Sequence, residues 1–181
     1  MPRTEYLATG PRVAVRRLDR ADREEYLALV RESGGLHRPW ISPPATPEEF
    51  EAYAARFDSP DRDGFLVCER ATGRIVGGVN INNIVRGAFQ CGALGYTAFA
   101  PSAGRGYMTE GLALVVRHAF GPLGLHRLEA NVQPGNEASR RLVQRLGFRL
   151  EGLSPDFLFI DGAWRDHERW AITAEMADFL P

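Results

Sequence analysis

Residues 104–120 constrain the fold of this chain more than any other stretch. Gly104-Arg105-Gly106-Tyr107-Met108-Thr109-Glu110 runs directly into a segment where Leu112, Val115, Val116, Ala119 and Phe120 recur at i, i+3, i+4, i+7 and i+8. A helix with that stripe has to be buried against another layer. The preceding residues, Phe89 to Phe99, read as a strand, so a glycine loop joins a strand to the start of a buried helix. Unpaired backbone N–H groups meet the positive end of the helix dipole there, which suits an anion. Glycines let the backbone approach a phosphate closely, and a pyrophosphate is the natural guest. Taken alone, such a junction can equally be a tight turn. It is not the dinucleotide fingerprint, because G-x-G continues to Glu110-Gly111 without the third glycine at the required spacing, and no Gly-Lys-Ser/Thr marks a P-loop. Hydride transfer and NTP hydrolysis therefore lose support.

The rest of the chain alternates periods. Arg12 to Leu18 alternates as a strand, and Asp19 is placed to cap a helix through Ser33 whose apolar face is Tyr26, Leu27 and Val30, stopped by Gly34-Gly35. Leu36 to Pro47, with Pro39-Trp40 and Pro43-Pro44, is expected to be irregular. Thr46-Pro47-Glu48-Glu49 then opens a helix through Phe57. Phe65 to Cys68 and Ile75 to Ile81 read as strands joined at Thr72-Gly73, with a turn at Arg86-Gly87 before the Phe89 strand. Beyond the central helix come a strand from His126 to Val132, a helix from about Asn136 to Leu146 stopped by Gly147, and strands around Phe157 to Ile160 and Trp164 to Ile172. The order β-α-α-β-β-β-α-β-α-β-β predicts an α/β sandwich around a mixed sheet, in one domain spanning 1–181.

Composition narrows the chemistry. With 22 basic and 23 acidic side chains, a net charge of −1 creates no field to hold nucleic acid or an anionic membrane, so an anionic ligand must be gripped locally. Every basic residue is arginine, which excludes a lysine nucleophile or Schiff base. Cys68 and Cys91, with four histidines and neither C-x-x-C nor H-E-x-x-H, offer no disulfide framework and no metal site. No apolar run approaches the roughly 20 residues that span a bilayer, so a soluble, cytoplasmic protein is expected.

A second constellation lies downstream, in Asn131-Val132-Gln133-Pro134-Gly135-Asn136-Glu137-Ala138-Ser139 followed by Leu146-Gly147-Phe148. Asn136 is placed to cap a helix with Ala138, Leu142 and Leu146 toward the core, leaving Asn136, Ser139 and Val143 on an adjoining face. A capping asparagine and an early serine would by themselves be structural.

The glycine loop, N-x-x-S and L-G-F-x-x-E-G together resemble the GNAT acetyltransferases. Asn83-Ile84-Val85-Arg86-Gly87, Leu94-Gly95-Tyr96 and Ile160-Asp161-Gly162-Ala163-Trp164-Arg165-Asp166-His167 sharpen the resemblance toward the RimJ-type ribosomal-protein alanine acetyltransferases. The resemblance implies a mixed, largely antiparallel central sheet flanked by about four helices. It implies acetyl-CoA as cofactor, its pyrophosphate on Gly104, Arg105, Gly106, Tyr107, Met108 and Thr109. The pantetheine arm would lie along Thr97, Ala98 and Phe99, near Asn131 and Asn136, with Ser139 as the catalytic residue that helps the leaving thiolate. Trp40, Asn80, Asn82, Arg86 and Tyr96 would line the acceptor channel.

Two departures bear on mechanism. Many family members carry a tyrosine acid where this chain has Val143, and a related branch has a glutamate base where counting places Leu158. An N-terminal α-amine, with a pKa of about 7.7 to 8.0, needs less help from a base than lysine at about 10.4. The implied reaction is direct acetylation of a protein N-terminus beginning with Ala or Ser, on a ribosomal protein, with a backbone N–H near Tyr96 to Ala98 facing the oxyanion. A small-molecule amine acetyltransferase and a non-catalytic acetyl-CoA-binding module remain as alternatives.

Overall fold

The computed structural model describes residues 5–180. Its strands are β1 (Ala8–Thr9), β2 (Val13–Arg17), β3 (Asp63–Glu69), β4 (Ile75–Val85), β5 (Cys91–Ala98), β6 (Arg127–Val132), β7 (Arg149–Ile160) and β8 (Ala163–Thr173). The helices are α1 (Arg23–Glu32), α2 (Gly34–His37), α3 (Pro47–Ala55), α4 (Tyr107–Phe120) and α5 (Glu137–Arg145). One sheet runs β1-β2-β3-β4-β5-β6-β8-β7, and only the β5–β6 pair at its centre is parallel. A parallel pair requires a crossover, which α4 provides.

The central strands show why the sheet is covered on both sides. On β3, Phe65 and Val67 pack with the α4 stripe of Leu112, Val115, Val116 and Ala119. Leu66 and Cys68 point the other way, into a second cluster with Tyr26, Val30 and Phe50 from α1 and α3. A strand buried on both faces reads as an unbroken apolar run, as Phe65 to Cys68 does. Helix α3 begins as expected: Thr46 Oγ1 accepts the Glu49 N–H at 3.2 Å, and the Glu49 carboxylate accepts the Thr46 N–H at 3.3 Å.

Several boundaries differ from expectation. Asp19 caps a 3₁₀ turn over Arg20–Asp22, and the α-helix starts only at Arg23. Gly34-Gly35 does not end the helical segment: α2 adds one turn through His37, closed by the Arg38 N–H on the Gly34 carbonyl. Strand β7 begins at Arg149, well before Phe157, because register shifts near Gly152 and before Leu158 break the alternation that would reveal it. In α5 the core residues are Val143 and Leu146, whereas Ala138 is exposed and Leu142 half-buried. No helix among the described residues is long and apolar enough to cross a membrane.

Candidate active site

The site starts as a split in the sheet. Strands β5 and β6 pair only from Cys91–Arg127 to Leu94–Ala130. Beyond Leu94, β5 stays with β4 while β6 follows β8, and the two part. Along β5 the Phe99 N–H bonds to the Val76 carbonyl across the Gly77–Ala98 pair, so Ala98, and by alternation Tyr96, turn their backbone groups away from β4 and into the gap. Thr97 faces β4, and the Phe99 side chain is fully buried in the second core, edge-on to Tyr26.

At the end of β5 the chain makes the glycine loop. Gly104 and Gly106 have φ of 76° and 78°, and Gly106 is the N-cap of α4, with no side chain bonded to the cap. A left-handed N-cap without a capping side chain leaves the first N–H groups of a 14-residue helix for a ligand. The loop is braced from behind. The Glu110 carboxylate accepts the N–H groups of Arg12 (2.7 Å) and Val13 (3.0 Å) and the Arg12 Nε, while Arg12 donates to the Arg105 carbonyl at 2.8 Å. Burial opposes ionisation of Glu110, yet these donors together hold its carboxyl below the usual range. The Arg105 side chain points to solvent. Sequence reading missed the Arg12–Glu110 brace, which joins positions 98 residues apart.

Helix α5 forms the facing wall. Asn136 Oδ1 accepts the Ser139 N–H at 3.2 Å, as an N-cap should. That cap fixes the first turn and directs the Ser139 hydroxyl to within 2.5 Å of the Tyr96 hydroxyl from β5. Burial pushes the Tyr96 phenol up to about 12, against the opposing hydrogen bond from Ser139, so Tyr96 keeps its proton. Val143, the position of the missing tyrosine, is fully buried and offers the gap nothing.

The resulting cavity, of about 440 Å³, is bordered by Trp40, Tyr96, Ala98, Gly104, Gly106, Tyr107, Met108, Thr109, Asn136 and Ser139 among the expected residues. Trp40 closes over Gly135, where an added Cβ would lie 3.1 Å from its ring. Arg141 and Arg145, one turn apart on α5, border the same space and are ion-paired with no described carboxylate. His37 and Ile41, also in its wall, line a second and larger groove of about 980 Å³ between Arg38–Ala45 and α3.

Other expected residues stand elsewhere. Asn131 faces away because β6 turns Leu128, Ala130 and Val132 to the core, and its Oδ1 accepts from Arg169 Nε at 2.8 Å. Arg86 lies at the far end of β4, held by the Leu123 carbonyl at 2.6 Å and by Gln90. Asn80 and Asn82 stand one layer behind the second groove, bonded to Tyr53 and Arg56, which line it. Leu158 pairs with Arg165 in the last hairpin and borders neither cavity.

An uncapped helix start, an open strand edge and a serine–tyrosine hydroxyl pair meet in one cavity. The residues present fit coenzyme A: uncapped N–H groups for phosphate, backbone groups of Tyr96 and Ala98 for amides, and the hydroxyl pair for the sulfur end. The sequence profile of the acetyltransferase (GNAT) domain matches residues 12–149. The "Probable N-acetyltransferase YjcK" of Bacillus subtilis is 32% identical over 171 residues, covering 90% of this chain and 94% of that protein. The [ribosomal protein uS5]-alanine N-acetyltransferase of Escherichia coli is 42% identical over 99 residues, 55% of this chain and 51% of the enzyme. Among solved structures, Mycobacterium smegmatis RimJ in complex with CoA-disulfide superposes with a TM-score of 0.83 at 30% identity, covering 90% of this chain and 82% of that one. The chain belongs to the GNAT acetyltransferase family, in its RimJ/RimL-type branch. It is an acetyl-CoA-dependent N-acetyltransferase.

Proposed function

We propose that this enzyme acetylates the N-terminal α-amine of a cytoplasmic protein that begins with alanine or serine, and that its acceptor is a ribosomal protein. The observation that carries this reading is the lining of the cofactor cavity, which among the described residues includes no Asp or Glu. Without a carboxylate to strip a proton from lysine, the favoured acceptor is an amine already partly neutral near pH 7. A relative whose name specifies ribosomal protein uS5 alanine supports the acceptor class.

Acetyl-CoA supplies an activated acetyl group when bound. The N–H groups from Gly106 to Thr109 seat its pyrophosphate, and Arg141 and Arg145 are available to its remaining phosphate. Tyr96 and Ala98 offer a strand edge to the pantetheine amides and an N–H toward the acetyl oxygen. Tyr96 keeps its proton and shares a hydrogen bond with Ser139 Oγ; with the phenol as donor, the proton on Ser139 itself is free to turn toward the sulfur. Ser139 is the catalytic residue, and Tyr96 positions it. The acceptor chain runs through the second groove, past Trp40, and enters where His37 and Ile41 border both spaces.

Two peptides test this, one with a free N-terminal alanine and no lysine, the other with a blocked N-terminus and one internal lysine. Mass spectrometry should find acetylation of the first. Preference for the blocked peptide, or reaction only with a small-molecule amine, would replace this reading with another acceptor class.

A further inference from the structure

We propose that His37 is the general base for acetyl transfer, taking the proton that the attacking amine must lose. It deepens the reading above and needs the acceptor to be an amine entering between the two cavities.

Among the described residues, His37 is one of two that border both the cofactor cavity and the acceptor groove, and it is 4% exposed. Its ring is held through one nitrogen: Nε2 lies 2.7 Å from the Ala98 carbonyl, in the gap where β5 leaves β6. A carbonyl oxygen can only accept, so Nε2 carries a proton and the neutral imidazole keeps its lone pair on Nδ1. Nδ1 has no hydrogen-bond partner among the described residues and is not sealed from solvent, a state that among them belongs to His118 Nε2. An imidazole fixed through one nitrogen and free at the other is the arrangement a base requires. Among the described residues, the acids bordering either space are Glu49 and Asp161, both on the groove alone. Glu49 already accepts the N–H groups of Ala45 and Thr46. Asp161 sits on the β7–β8 turn, outside the cavity that holds Ser139.

The step balances simply. The amine nitrogen bonds to the acetyl carbon as the carbon–sulfur bond breaks and sulfur leaves with the bonding pair. Nitrogen then gives one proton to His37 Nδ1, which releases it to solvent, and sulfur gains one from the Ser139 hydroxyl, which solvent restores. The net change converts amine and acetyl-CoA into amide and CoA thiol.

Three experiments test it. Nitrogen-15 NMR of histidine-labelled free protein, with His37→Gln to assign the signal among four histidines, should show Nδ1 unprotonated in the neutral ring. The opposite tautomer overturns the proposal. His37→Gln retains an N–H that can reach Ala98, and should lower kcat roughly a hundredfold while calorimetric affinity for acetyl-CoA stays within about twofold. Added imidazole should partly restore turnover in His37→Ala. A Gln variant with wild-type kcat, or one whose loss lies wholly in acetyl-CoA affinity, overturns it too. If the wild type acetylates a small amine but no peptide, the N-terminal reading fails while the Gln variant still tests the base.

Discussion

The two walls of the site are built differently. The cofactor wall comes from the glycine loop with α4 and from the start of α5, regular elements anchored in the core by Leu112, Val115, Val116 and Val143. The acceptor wall comes from α2, the proline-rich stretch Arg38–Ala45 and α3; Phe50 and Ala54 anchor α3 in the second core, whereas the irregular stretch before it is tied to the rest by contacts such as His37 on Ala98 and Gln133 on the Trp40 carbonyl. Core-anchored helices hold the glycine loop and the turn that carries Ser139, and an irregular, proline-rich stretch borders the groove proposed for the acceptor. That division is what a fold reused for many acceptors requires.

The largest effect is expected at the cofactor wall. Gly106→Val puts a β-branched side chain at φ 78°, with its Cβ 3.2 Å from the Arg12 guanidinium. Calorimetry should detect no acetyl-CoA binding by a variant that circular dichroism shows to be folded. Unchanged affinity would move the phosphate seat elsewhere.

The same contrast explains what the sequence disclosed. Glycines before an amphipathic run are local signals, so the loop at Gly104 to Thr109 and helix α4 were legible. Ala138 and Leu142 misled for a physical reason: residues lining a cavity for an apolar arm look like core residues in a pattern. Val143 then appeared spare, though it is the fully buried position. Asn131 could not be placed until its strand's parity was known, because one residue's shift exchanges the faces. His37 was hidden because its meaning depends on Ala98, 61 residues away. The Tyr96–Ser139 pair is likewise a product of topology, joining residues 43 apart across the gap.

At the hydroxyl pair, Ser139→Ala should lower kcat on the order of ten- to a thousandfold with little change in acetyl-CoA affinity. Tyr96→Phe should cost less, and the double variant should lose no more than Ser139→Ala alone, because Tyr96 acts through Ser139. Additive losses would assign Tyr96 an independent role.

The acceptor wall predicts a smaller effect. Arg31, Arg38 and Arg56 line the groove and are ion-paired with no described carboxylate, whereas Arg16 and Arg127 are each held by acids. Alanine peptides with acidic residues after the first should therefore have a KM lower by about fivefold than basic ones, the worth of one exposed charge pair. Arg38→Glu with Arg56→Glu should erase that preference and leave acetyl-CoA affinity unchanged. Equal KM values for acidic and basic peptides in the wild type would show that the groove does not read charge.

The smallest effect concerns stability, and it asks how firmly the cofactor wall is held. Glu110 has only 15% of its side chain exposed and accepts two backbone N–H groups of the β1–β2 connection and the Arg12 guanidinium. Although burial raises its pKa, those donors prevail and hold it below the usual range. A carboxylate with a depressed folded-state pKa stabilises the protein above its unfolded value, about 4.3 for glutamate, and that stabilisation is lost as pH falls through the lower folded value. Glu110→Gln keeps the shape and one acceptor but removes the charge, costing about 1 kcal/mol, or a drop in Tm of roughly 2 to 4 °C for a chain of this size. The gap between wild type and variant should be full at pH 7 and should narrow below about pH 4. A gap unchanged down to the lowest pH at which both proteins fold would mean that shape, not charge, holds the loop. If the gap behaves as expected while acetyl-CoA affinity also falls in the variant at pH 7, the brace positions the phosphate seat as well as securing it.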